Sequence, residues 1–168
     1  MIGRFTDFNE WIVRFNLHVY IYDFMSEAKN KTIARQFIEQ IFNEGKIEQA
    51  KNFVTPDIVY HGAEEVKGIE DFKEWISEDR KALPDMQVTI IEDIEEQNKV
   101  ALRWTLKATH EGEILGLPAT HEKFETSGVE ILHFEGGKIK EAWTIYDGLK
   151  PALEIGAVEI VQPTDSKV

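Results

Sequence analysis

Two side chains stand where they could move protons. His110 ends the alternating series Val100, Leu102, Trp104, Leu106, Ala108. Alternate residues of a strand share a face, so this imidazole closes a wholly apolar row. Asp147 falls in the same alternation as Ile139, Glu141, Trp143 and Ile145. A carboxylate on an apolar face loses hydration, which disfavours its charged form and raises its pKa. That suits a group that must take and return a proton near neutral pH, so the chemistry would be general acid–base transfer. Both placements need an unbroken strand, because a β-bulge turns every later side chain to the other face. The competing structural roles are a cap on the turn at Gly148 or a buried ion pair for Asp147, and a hydrogen-bonded core histidine for His110.

The remaining chemistry-bearing residues narrow the field. His61 ends a short early strand, at a pocket mouth or as a turn cap before Gly62, and His121 and His133 sit on separate elements. Five scattered histidines give no ligand spacing, so no metal is expected. Zero cysteines exclude disulfides, thiolate catalysis and thiolate metal centres, and they fit a reducing, cytoplasmic setting. There is no GxSxG turn, no phosphate loop and no dinucleotide fingerprint. The net charge of −12 argues against nucleic acid as a partner. No apolar run approaches the roughly 20 residues that span a bilayer, so no membrane association is expected.

The elements that must position these residues follow from periodicity. Ile33, Phe37 and Ile41, flanked by Ala34, Ile38 and Phe42, predict a helix from Asn30 to Glu44, stopped by Gly45. A second helix is expected over Ile47–Phe53, a brief strand over Asp57–His61 and a third helix over Ile69–Leu83, closed by Pro84. The period then changes to two, predicting strands Val88–Ile94, Val100–His110, Phe124–Phe134 and Ile139–Asp147, with Gly136-Gly137 as a tight hairpin. Helices first and an antiparallel meander afterwards make an α+β fold, with three amino-terminal helices packed on one face of a curved antiparallel sheet. One domain is expected over residues 26–160, with an extension over 1–25, of which a start at Met25 would remove Met1–Phe24, and a polar tail over 161–168.

Four motifs in order resemble the SnoaL-like polyketide cyclases of the nuclear transport factor two-like superfamily. They are Leu83-Pro84-Asp85-Met86; Val100–Trp104 leading to Ala108-Thr109-His110-Glu111-Gly112-Glu113; Gly116-Leu117-Pro118-Ala119-Thr120; and Gly136–Trp143 followed by Asp147. The resemblance runs from Asn30 to Gly156 and implies a cone-shaped sheet closed by helices around an apolar pocket. It further implies a cofactor-free aldol ring closure, with the residue at Asp147 as acid/base and His110 polarising the carbonyl. Trp104, Trp143, His61, Leu117, Pro118 and Ile145 would bind the substrate. Where the family commonly reads Gly-x-Pro-Pro-Thr-Gly, Ala119 replaces the second proline and His121 the last glycine.

Two functions compete on this reading. One is a small cofactor-independent enzyme performing proton transfer on an apolar carbonyl compound. The other is a binding or dimerisation module for a hydrophobic small molecule, with isomerase and dehydratase activities also housed on the same scaffold. The exposed back of a curved sheet also predicts a homodimer.

Overall fold

The computed structural model describes residues 29–114 and 117–159; the extension 1–25, the tail 161–168 and Gly116 of the third motif lie outside the described residues. Helix α1 (29–37) continues directly into a π-helical turn, Ile38–Asn43. Ala34, Phe37, Ile38 and Ile41 are buried along one side, as the apolar stripe requires. Gly45 takes φ +66°, and a Cβ there would meet the Arg80 side chain at 2.6 Å, so the helix stop is also a point of close approach. Arg80 uses that space to donate hydrogen bonds to the last carbonyls of the turn, those of Phe42 and Asn43.

A 3-10 turn, Ile47–Gln49, leads into the short α2 (Ala50–Phe53), then β1 (Val54–His61), β2 (Glu65–Lys67) and α3 (Ile69–Ala82). The meander follows as β3 (Gln87–Glu96), β4 (Lys99–Thr109), β5 (Lys123–Glu135) and β6 (Lys138–Tyr146), and α4 (Leu149–Glu154) comes last. The six strands form one sheet in the order β2-β1-β6-β5-β4-β3. Every pairing is antiparallel except β1 with β6, so the sheet is mixed, where sequence predicted a purely antiparallel one. Phe37 joins the helices to each other, with its ring 5.5 Å from Phe42, 6.2 Å from Phe53 and 6.0 Å from Phe72. Among the described residues no helix is long and apolar enough to cross a membrane.

Two irregularities decide which way side chains face. On β3, Ile90 pairs with Trp104 but Glu92 with Arg103, leaving Ile91 as the extra residue. On β6, Phe134 pairs with Ile139 but His133 with Glu141, so Lys140 is the extra residue. Ile139 and Ala142 are both fully buried although they are three positions apart, which an unbroken strand forbids. Thr144 therefore follows Ala142 inward, while Glu141, Trp143 and Ile145 turn outward. The expectation that Ile139, Glu141, Trp143 and Ile145 share one face is thereby corrected, and Ile145 is 79% exposed.

Candidate active site

On β4 the alternation holds. Val100, Leu102, Trp104, Ala108 and His110 are all buried on the concave side. His110 is 0% exposed; its Nδ1 lies 3.1 Å from Thr120 Oγ1, and its Nε2 has no hydrogen-bond partner among the described residues. Its backbone is tied to the returning loop through Glu122 O and His121 N. The preceding residue is fixed as well: Asp85 accepts from both the N–H (2.7 Å) and the hydroxyl (2.6 Å) of Thr109. Those two bonds hold the Asp85 carboxyl below its usual range. In the same loop Leu117 is half-buried and bridges to Ile114, and Pro118 is exposed.

Asp147 is elsewhere. It is exposed, and its Oδ1 accepts from the Lys150 N–H at 3.2 Å, so it caps the first turn of α4. Its backbone carbonyl accepts the Thr126 hydroxyl at 2.7 Å, which puts it level with Leu106, four residues back along β4 from His110 and across β5. The two residues share no partner. His61 and Trp143 are brought together, but on the convex face, where the His61 ring stacks on Trp143 at 4.7 Å, while Ile145 lies further along that face opposite Val129.

The concave face holds a different polar group. Glu130 on β5 is 2% exposed and accepts a 2.6 Å hydrogen bond from the hydroxyl of Tyr60 on β1, itself 4% exposed. Thr144 is the register partner of Glu130 and shares its inward face. Trp75 of α3 packs on the Tyr60 ring at 4.8 Å, and Asp79 follows it by one helical turn. Trp104 forms another wall, its indole lying over Gly128. Burial pushes the Glu130 carboxyl up to about 7 against the opposing pull of the Tyr60 bond. Burial, then the charge of Glu130, holds the Tyr60 phenol well above its ordinary value, and Asp79 adds to this. Burial alone raises Asp79 to about 6.

Sequence reasoning missed Glu130, yet the signal was present. Thr126, Glu130, Leu132 and Phe134 share one parity on β5, so a lone glutamate stands in the buried row just as His110 does on β4. Two surface hollows, about 450 Å³ between α1 and β3 and about 410 Å³ beside His133, Lys140 and Glu141, lie outside this interior. Neither reaches the Tyr60–Glu130 pair; the second is bordered by His133 and Glu141, whose side chains lie 3.7 Å apart. Among the described residues no group of three or more histidines and carboxylates has the arrangement to hold a metal ion.

A curved sheet packed by helices is an arrangement that recurs among known proteins. The sequence profile of the SnoaL-like polyketide cyclases matches residues 32–155. The chain belongs to that family. Among solved structures, this SnoaL-like protein is similar to AclR, a candidate hydroxylase of Streptomyces galilaeus, at 28% identity and TM-score 0.71, covering 79% of this chain and 99% of AclR. It is also similar to a candidate polyketide cyclase of Acidithiobacillus ferrooxidans, at 26% identity and TM-score 0.67, covering 77% and 95% of the two chains. IdmH of Streptomyces antibioticus, again a candidate polyketide cyclase, shows 26% identity and TM-score 0.64, with 76% and 98% covered. No curated protein matches the SnoaL-like chain.

Proposed function

We propose that this SnoaL-like protein is a cofactor-independent acid–base enzyme acting on an apolar carbonyl compound, with Glu130 and Tyr60 as its proton-handling pair. The observation that carries the reading is the 2.6 Å bond between these two buried side chains on the concave face. Glu130, once ionised, takes a proton from the carbon next to a carbonyl. Tyr60 stays protonated and donates to the enolate oxygen that forms. Attack of that carbon on a second carbonyl closes a ring, and the proton held by Glu130 passes to the new alkoxide, so no proton is gained or lost overall. Trp104 and Trp75 keep the enolate from bulk water.

Exchange of the α-hydrogens of 2-tetralone in D2O, followed by proton NMR, tests this. The wild type is expected to accelerate the exchange and Glu130→Gln to lose about 100-fold or more of that acceleration, while Asp147→Asn retains it. Loss in Asp147→Asn with Glu130→Gln unaffected would return the acid/base role to Asp147. Binding of the ketone with no exchange in the wild type would favour the binding module.

The convex face supports a homodimer in the same reading. Ile94, Ala101, Ile131 and Trp143 are register neighbours across β3, β4, β5 and β6, and Val129 and Ile145 form a second row beside them. Ile131 is 40% and Ile94 62% exposed, too much contiguous apolar surface for an uncovered face. The charges bordering this strip are paired within the chain, Lys107 with Glu125 at 3.4 Å and Arg103 with Glu92 at 3.2 Å, so a second copy can cover the apolar rows without burying an unpaired charge. Ile131→Asp is expected to weaken self-association about tenfold or more by burying an unpaired charge at the contact. Sedimentation showing only a 19.4 kDa species for the wild type at micromolar concentration would contradict the dimer.

A further inference from the structure

His61 points out of the sheet between two carboxylates. Its Nε2 lies 3.0 Å from Glu141 Oε1 on β6, and its Nδ1 lies 3.2 Å from Glu65 Oε2 on β2. A neutral imidazole has one N–H and one bare nitrogen, so it can donate to one carboxylate while its lone pair opposes the other. Donating to both takes the imidazolium. The ring also lies on Trp143 with the planes only 17° apart, a position in which a positive charge gains from the indole π-face.

The surrounding charges come from four strands. On β2, Lys67 Nζ is 2.6 Å from the other oxygen of Glu65, so Glu65 has a second partner to retreat to. On β5, His133 Nδ1 is 3.7 Å from the other oxygen of Glu141, and its ring leans on Trp143 at 4.6 Å. On β4, Lys99 acts with burial to hold His133 below the usual imidazole range. On β6, Lys140 is engaged by Asp57 and Glu135 and does not compete for Glu141.

We propose that His61 is a proton-operated latch on the convex face: protonated, it ties β2 and β6 to β1 across Trp143, and deprotonated, it lets one carboxylate go. Glu65 is the arm that opens, because it keeps Lys67 and sits on an edge strand held by three register pairs. The latch does not depend on the interior site, although β1 carries Tyr60 inward at the adjacent position.

Tryptophan emission of the full chain, titrated from pH 5 to 8.5, tests the latch, since an imidazolium stacked on an indole quenches it. Emission is expected to rise as the pH passes through the imidazole range, and the rise should disappear in His61→Gln and in Trp143→Phe. His133→Gln should leave the rise in place. A flat wild-type titration, a rise that survives His61→Gln, or loss of the rise in His133→Gln would each overturn the proposal.

Discussion

Between pH 5 and pH 8 the folded chain is expected to lose stability on the order of 3 kcal/mol through Glu130 alone, and Glu130→Gln to lack that part of the slope. The folded-state pKa of Glu130, about 7, stands above the ordinary 4.5. Below the ordinary value both states hold the proton. Between the two values the folded chain keeps a proton that the unfolded chain has released, so stability falls as pH rises, and above about 7 the fall ends. Asp79 runs the same way at lower pH, from 3.8 to about 6. Depressed carboxylates such as Asp85 act oppositely, losing stability as pH falls through their folded values. Both contributions are common to wild type and variant and cancel in the difference. Urea denaturation of the two proteins at pH 5, 6.5 and 8 reads it directly, and parallel slopes would contradict it.

Gly128→Ala is expected to destabilise the fold by about 3 kcal/mol, the upper part of the range for overpacking. A Cβ at this position would sit 2.6 Å from the Ile145 carbonyl oxygen and 2.6 Å from Trp104 Cζ2. The first neighbour is backbone of the paired strand and cannot rotate away. The second is the indole of Trp104, a wall of the interior site, so the same methyl group displaces that wall. Ser127→Ala, one residue away and exposed, should change stability by less than about 0.5 kcal/mol. Equal melting curves for the two variants would show that the glycine is not needed for Trp104 to close over the sheet.

Much of this fold was legible because burial wrote its period into the chain. The stripe around Phe37 marks α1, the α3 boundaries agree to within one residue, and the row ending at His110 faces inward as its parity demands. What was not legible has physical causes. The bulge at Lys140 reverses β6 in a stretch whose alternation reads smoothly. β2 is three residues long, too short for any period. Pro56 interrupts β1 at the place where its pairing with β6 shifts register, which hides the start of the strand at Val54. Pro151 in α4 is tolerated because a first turn needs no donor there. The polar centre escaped for a different reason: Glu130 has the parity of a core residue but the chemistry of a surface one, and only the Tyr60 hydroxyl from a distant strand makes its burial tenable. Asp147 drew attention by following Trp143 and Ile145, yet those residues face away from the core.

The side-chain carboxyl carbon shift of Glu130, followed by NMR from pH 4 to 9 in the wild type and in Tyr60→Phe, addresses the central claim. A midpoint near 7 in the wild type, moving higher once the phenol no longer donates, is the expected result. A midpoint at the ordinary glutamate value, indifferent to Tyr60, would show that the interior pair cannot trade protons near neutral pH.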